Sequence, residues 1–282
     1  MGQASRETVL EFLRRARYEV IPLEGVEDEV VEHVPKDVKL TVTASPRKGI
    51  DSTLGLSEAL AKRGFQVVPH ISARLVVDEA HLADILQRLD ALGLREVFVI
   101  AGDVSEPAGK FTGASALLSA MAELGHGLEE IGITGYPESH PVISDEDTIQ
   151  AMYEKAPFAT YIVSQICFDT QIIGWWIGVV RKRGVELPIY IGMPGVAQKT
   201  KLFRISTKIG LGESARFLRK HGTLFARLFL PGPFSPDRLI EGLGPTLGDP
   251  EGKVRGFHIY TFNEVKKTEE WRREAIDRLG SE

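Results

Sequence analysis

Short apolar runs, each closing on a polar residue or a turn and each handing over to an amphipathic stretch, recur along the whole chain. RYEVIPL carries Glu19, KLTVTA carries Thr43, QVVPHISA carries His70, REVFVIAGD carries Asp103, EIGITGYP carries Tyr136 and ATYIVSQICFD carries Gln165; LPIYIGMPG and GFHIYTFN complete a set of eight. Between them STLGLSEALAKRG, EAHLADILQRLDALG, TGASALLSAMAELG, DEDTIQAMYEKA and TQIIGWWIGVVRKRG place apolar residues three and four apart and often end in glycine, which predicts helices. A strand followed by a helix, repeated, predicts parallel pairing. Parallel strands need a crossover and are covered on both faces, which accounts for runs that are apolar nearly throughout.

Eight units of this kind predict an α/β protein with a closed (βα)8 TIM barrel, in a single domain over residues 1–282 with a short N-terminal helix. The competing architecture, an open doubly wound sheet, should show a Gly-x-Gly-x-x-Gly turn after an early strand, and none is present. A long crossover is expected near residues 230–253, where Pro231, Pro233, Pro236, Pro245 and Pro250 cluster. Within it SPDRLIEGL predicts a helix with Ser235 as N-cap and Pro236 at the first helical position, where a missing N–H costs nothing.

In a closed parallel barrel the carboxyl ends of the strands and the loops that follow carry the chemistry, so the closing polar residues are the candidate site. Glu19 sits among Tyr18, Val20 and Ile21, a setting that disfavours the ionised carboxylate and would make it a proton donor near neutrality; a rim carboxylate paired with arginine is the alternative. Asp103 falls in phase with Val97, Val99 and Ala101, which predicts a carboxylate at the mouth, although a helix cap explains it equally. YPESHP concentrates Tyr136, Glu138 and His140 in a loop stiffened by Pro137 and Pro141, suited to holding a heteroaromatic ring. His70 and His258, taken singly, read as hydrogen-bonded core imidazoles. Trp175 and Trp176 read as barrel packing or a subunit contact. Gly210, Gly212 and Ser214, with Arg204, Lys208 and Arg216 nearby, make a weak phosphate-cradle pattern.

Composition removes several classes. Hydrophobic residues make up 43% and charged residues 26% of the 282, an ordinary globular balance that supports a sizeable core. A net charge of -5 argues against a general nucleic-acid surface. The basic residues of EVKKTEEWRRE alternate with acids, as on a solvated helix face. One cysteine, Cys167, excludes an intrachain disulfide and reads as a small buried hydrophobe. No signal-like or membrane-length apolar run occurs, so the expectation is a soluble cytoplasmic protein with no membrane partner. Neither His-x-His on the first strand nor His-Glu-x-x-His appears, so no metal is expected.

Taken in order, these motifs resemble the methylenetetrahydrofolate reductase family from about Tyr18 to Asn263. YEVIP resembles the family's Phe-Glu-Phe-x-Pro opening, TVTA its Val-Thr-Tyr segment, VIAGD its Arg-Gly-Asp turn, GYPESHP its Tyr-Pro-Glu-x-His-Pro signature, SQICFD its Thr-Gln-x-x-Phe-Asp segment and HIYTFN its His-x-Tyr-Thr-x-Asn segment. The resemblance implies a flavin-containing (βα)8 oxidoreductase of one-carbon metabolism and methionine biosynthesis. It would reduce 5,10-methylenetetrahydrofolate to 5-methyltetrahydrofolate with NADH or NADPH as cosubstrate. It further implies Glu19 and Asp103 as catalytic residues, and Thr43, His70, Gly102, Asp103, Tyr136, His140 and Lys155 as FAD contacts. Gln165, Glu19 and Tyr260 would be the folate contacts. A tetrahydrofolate derivative and a nicotinamide dinucleotide are the implied partners, with a homo-oligomer left open. The sequence departs from the pattern at Ala101, where the family has arginine, at Ala44, where it has tyrosine, and at Glu264, where arginine is common. The pattern resembles the divergent, shorter branch of the family, which implies FAD as cofactor without implying that it is tightly bound. Three other readings stay open: direct hydride transfer from nicotinamide to folate without stable flavin, a metal-dependent barrel hydrolase, and a non-catalytic folate or flavin binder.

Overall fold

A computed structural model describes residues 2–45, 48–138, 140, 143–197 and 236–281. The expected Ser235 cap, Pro231, Pro233 and Pro141, and the 204–216 cradle lie outside them.

Eight strands close in chain order into one barrel, every neighbouring pair parallel: β1 (Arg17–Val20), β2 (Lys39–Val42), β3 (Val67–Ser72), β4 (Glu96–Ile100), β5 (Glu130–Gly135), β6 (Tyr161–Ser164), β7 (Ile189–Pro194) and β8 (Val254–Tyr260), with β8 returning to β1. The expected (βα)8 barrel is therefore what the chain forms. Helices α1 (Gln3–Arg14), α2 (Val26–His33), α3 (Gly49–Lys62), α4 (Glu79–Ala91), α5 (Ala114–Leu124), α6 (Asp145–Lys155) and α7 (Thr170–Lys182) precede or follow these strands. Then come α8 (Asp237–Gly242), α9 (Gly244–Leu247) and α10 (Val265–Ser281). No helix among the described residues is long and apolar enough to cross a membrane.

Several helix starts follow directly from side-chain chemistry. Asp78 accepts from the His81 amide ahead of α4, Ser144 from the Asp147 amide ahead of α6, and Asp169 from the Gln171 and Ile172 amides ahead of α7, each satisfying donors that the first turn leaves open. The SPDRLIEGL helix begins at Asp237, one residue later than expected, with Pro236 as its flanking residue. Helix α2 is too short and acidic to stand out in the sequence; Val26 and Val30 bury its inner edge.

Strand alternation sorts residues between two cores. Odd residues of β1 face the barrel axis and even ones face the helices: Tyr18 is buried outside and donates to Glu269 on α10 at 2.8 Å. Inside, Val68, Phe98, Tyr161, Val163 and Tyr190 fill the middle of the barrel. Beneath them lies a charged layer. Arg17 donates to Glu96 at 2.5 Å and to the Tyr190 hydroxyl at 2.9 Å, with its guanidinium 3.9 Å from the Tyr190 ring centre. Lys39 meets Glu96 at 2.5 Å, and Arg255 meets Glu130 at 2.7 Å. These residues begin strands or sit near their starts, so this is the foot of the barrel, opposite the working end.

The solvated-face reading of EVKKTEEWRRE needs correction. In α10, Glu269 and Arg272 are buried and bonded to each other, because Arg272 also reaches the carbonyl of Leu13 on α1. The charges pair inside the helix layer.

Candidate active site at the barrel mouth

Glu19 is the penultimate residue of β1. One of its carboxylate oxygens, Oε2, lies 3.1 Å from His258 Nε2 on β8 and 3.7 Å from His70 Nε2 on β3. Burial raises its pKa to about 7, and the charge of His70 opposes the rise. The sequence argument reached the right state for the wrong reason: Tyr18 and Val20 point to the other face, and the desolvation comes from the barrel interior. The arginine-paired alternative does not hold, since Glu19's neighbours are imidazoles. Burial lowers the pKa of His70 to about 4, with Glu19 raising it and His258 lowering it. Burial lowers that of His258 to about 3, with Arg17 lowering it further and Glu96 raising it. Both imidazoles are therefore neutral near neutrality, while Glu19 is poised between its protonated and ionised forms.

The chain around Glu19 is stitched to the loop after β8. Thr261 Oγ1 donates to the Glu19 carbonyl at 2.6 Å, and the Asn263 amide both accepts from Ile21 N at 2.8 Å and donates to Ile21 O at 2.9 Å. Phe262 and Asn263 hold left-handed backbone, φ 53 and 61, which L residues seldom adopt and which these bonds stabilise. Tyr260, two residues before Phe262, donates to the Ser164 carbonyl at 3.2 Å and packs edge-on against His258. It fits because Gly192 lacks a Cβ, which would come within 2.9 Å of its ring.

The next wall comes from the loops after β4 and β5. Tyr136 and His140 pack edge-on with ring centres 5.0 Å apart, and His140 Nδ1 accepts from the Ile143 amide at 3.1 Å. Asp103 faces this pair: its charge raises the pKa of Tyr136, where burial is the larger cause, and opposes the burial that lowers that of His140. Asp103 reaches the mouth by a route other than the expected one. Val97 and Val99 face the helices, β4 ends at Ile100, and an exposed loop carries Asp103 across. Gly102, at φ 96, lies so close to Ser72 that any Cβ would clash. Arg74 braces the same loop, donating to the carbonyls of Val104, Ser105 and Thr112 at 2.7–3.0 Å. Thr43 follows β2 and is half-buried. Gln165 follows β6, its backbone N–H donating to the Gly135 carbonyl at 2.7 Å.

Thus Glu19, Thr43, His70, Gly102, Asp103, Tyr136, His140, Gln165 and Tyr260 all lie at the carboxyl ends of the strands. Lys155 does not join them. It ends α6, roughly 15 Å along the helix from its mouth end at 1.5 Å per residue, and burial lowers its pKa to about 8. Sequence reasoning missed two things here. One is the Glu19–His258 bond, signalled by His258 standing two residues before Tyr260 on one strand face. The other is the setting of Glu138, which the loop motif named without its partner: burial pushes its carboxyl up to about 7, beside the buried Cys167 thiol. Trp176 packs against Gly135, while Trp175 is 64% exposed. Among the described residues no group of three or more His, Cys, Asp or Glu side chains is arranged to hold a metal.

Fold and site together define a (βα)8-barrel protein with a buried acid between two neutral imidazoles at its mouth. The methylenetetrahydrofolate reductase family matches residues 24–211, two-thirds of the chain, and the protein belongs to that family. It is 27% identical over 152 residues to methylenetetrahydrofolate reductase 2 of Saccharomyces cerevisiae, a match covering 47% of this chain and 22% of that longer protein. A solved structure from Clostridium thermocellum, of a protein that binds two copies of 5-methyl-5,6,7,8-tetrahydrofolic acid, shares the fold. The TM-score is 0.61 at 12% identity, over 98% of this chain and 99% of that one.

Proposed function

We propose that this protein reduces 5,10-methylenetetrahydrofolate to 5-methyltetrahydrofolate with NADH or NADPH. The observation that carries the reading is Glu19, a carboxyl whose pKa burial raises to about 7, so that it can give up a proton near neutrality, at the mouth of a barrel belonging to this family. The reaction needs such a group. One C–N bond of the bridging carbon breaks, and the departing nitrogen takes a proton from Glu19. A hydride then forms the new C–H bond at the resulting iminium carbon while nicotinamide is oxidised. Binding of 5-methyl-5,6,7,8-tetrahydrofolic acid by the Clostridium thermocellum protein, which shares the fold, is consistent with a folate in this mouth. In this reading Gln165 and Tyr260 would contact its ring, and Asp103 would orient it by charge.

Flavin fits the same wall. His70 Nε2 is buried with no hydrogen-bond partner. Thr43, His70, Gly102, Asp103, Tyr136 and His140 would hold the ring system, and flavin, when bound, relays hydride from nicotinamide to substrate.

A second reading, direct hydride transfer from nicotinamide without stable flavin, is favoured by one observation. Ala101 replaces the family's arginine, and the guanidinium the fold does bring there, Arg74, is committed to three backbone carbonyls. Purified protein assayed with methylenetetrahydrofolate and NADH or NADPH, with and without added FAD, tests both readings. Formation of 5-methyltetrahydrofolate supports the reductase, and its absence under every condition rejects it. A visible flavin spectrum, or turnover that depends on FAD, rejects the direct route.

A further inference from the structure

We infer that His258 is a positioning residue that donates its Nε2–H to Oε2 of Glu19 and thereby leaves the acid's proton on Oε1, the oxygen free to meet a substrate. The catalytic half of this inference rests on the reductase reading; the tautomer and the bond do not.

Three observations carry it. First, the contact is at hydrogen-bond length, 3.1 Å, whereas His70 at 3.7 Å stands beyond it. Second, His258 is 1% exposed and hemmed in by Tyr260 edge-on at 5.0 Å and Phe98 at 6.4 Å, in a strand whose register against β1 pairs it with Arg17. The ring has no room to turn to another partner. Third, Nδ1 of His258 is buried with no hydrogen-bond partner. A neutral imidazole carries one N–H, and a buried N–H without an acceptor is costlier than a bare lone pair, so the proton belongs on Nε2 and the lone pair on Nδ1. An Nε2–H facing Oε2 makes that oxygen the acceptor, a role the carbonyl oxygen of a carboxyl fills better than its hydroxyl. A protonated Glu19 then carries its proton on Oε1.

Burial keeps the ring neutral, with Arg17 helping and Glu96 opposing. Arg17 and Glu96 face His258 from below, His70 and Tyr260 flank Glu19, and Tyr136 stands beyond Tyr260. When the proton leaves, the same bond becomes charge-assisted and holds the carboxylate in place, so the imidazole stabilises the spent acid more than the loaded one.

Nitrogen NMR of the ligand-free, 15N-histidine-labelled protein at neutral pH, with His258 assigned by difference from His258→Phe, reads the tautomer directly. A pyrrole-like Nε2 and a pyridine-like Nδ1 are expected. The reverse pattern, or protonation of both nitrogens, overturns the inference. In His258→Phe the ionisation midpoint of Glu19, followed by its carboxyl infrared band, should rise by about one pH unit, with kcat falling about tenfold and KM changing little. His258→Gln, which returns an amide donor near the Nε2 position, should bring the midpoint back. If His258→Phe does not fold, His258→Asn, which lacks a donor there, takes its place. An unmoved midpoint in the folded variant overturns the positioning role. A wild-type protein without turnover would sink the reductase reading, while the nitrogen spectrum would still decide the tautomer.

Discussion

Arg17 and Glu19 stand two residues apart on β1 and point the same way, yet one meets Glu96 at 2.5 Å at the foot of the barrel and the other meets His258 at 3.1 Å at its mouth. A two-residue period along a strand stacks side chains on one face about 6.6 Å apart, so the first charge closes the base and the second opens on the mouth. Between them Phe98 and Tyr161 keep the interior dry. That dryness raises the Glu19 pKa.

Replacing the acid separates catalysis from binding. Glu19→Gln should lower turnover by about 10²–10⁴-fold while folate affinity, read by fluorescence titration, stays within a few-fold. Equal loss of both would mean that Glu19 acts in binding alone.

The same substitution should stabilise the ligand-free protein at alkaline pH. Glu19 binds its proton more tightly folded than unfolded, so its contribution is present below about pH 4.5 and is lost as pH rises through about 7. By pH 8 the loss amounts to about 3 kcal/mol as an upper figure, which Gln does not incur. Urea melts of the two proteins at pH 6 and pH 8 check this, and an identical difference at both pH values would contradict it.

Acid should act through the imidazoles. His70 and His258 bind protons less tightly folded than unfolded, with values of about 4 and about 3, so the stability they supply is complete above the ordinary histidine value and falls as pH drops below it. Glu96, held below its ordinary value by Arg17 and Lys39 despite burial, adds a loss at still lower pH. Melting temperature against pH should peak near neutrality and drop from pH 6 downward. His70→Asn should flatten that drop.

At the barrel's foot, Arg17→Met should cost about 3–5 kcal/mol, because Glu96 would be left as a buried charge with only Lys39. Arg17→Met with Glu96→Leu should recover much of the loss. Denaturant melts of the two single variants and the double variant measure the coupling.

Arg74→Met should free the loop that carries Asp103 by removing three bonds to its carbonyls, while leaving the strands intact. The expected signature is faster amide exchange over residues 102–112 and a raised KM, with the melting temperature changed by only a few degrees. Unchanged exchange would show that the loop is held by other contacts.

The eight apolar runs, most of the helices between them and their closing polar residues are legible along the chain, because strand and helix periods are local properties and a parallel barrel places every strand end at one face. The same local logic brought Glu19, Asp103, Tyr136 and Gln165 to the mouth in advance. It failed wherever the deciding neighbour was distant in sequence. Which way Val97 and Val99 face, what Glu19 touches 239 residues away, and that Arg17, Glu96 and Arg272 are buried all follow from barrel closure and register. Side-chain pattern fixes what a segment can become, whereas a pKa depends on the water excluded and the charges brought near, and only the closed barrel decides both.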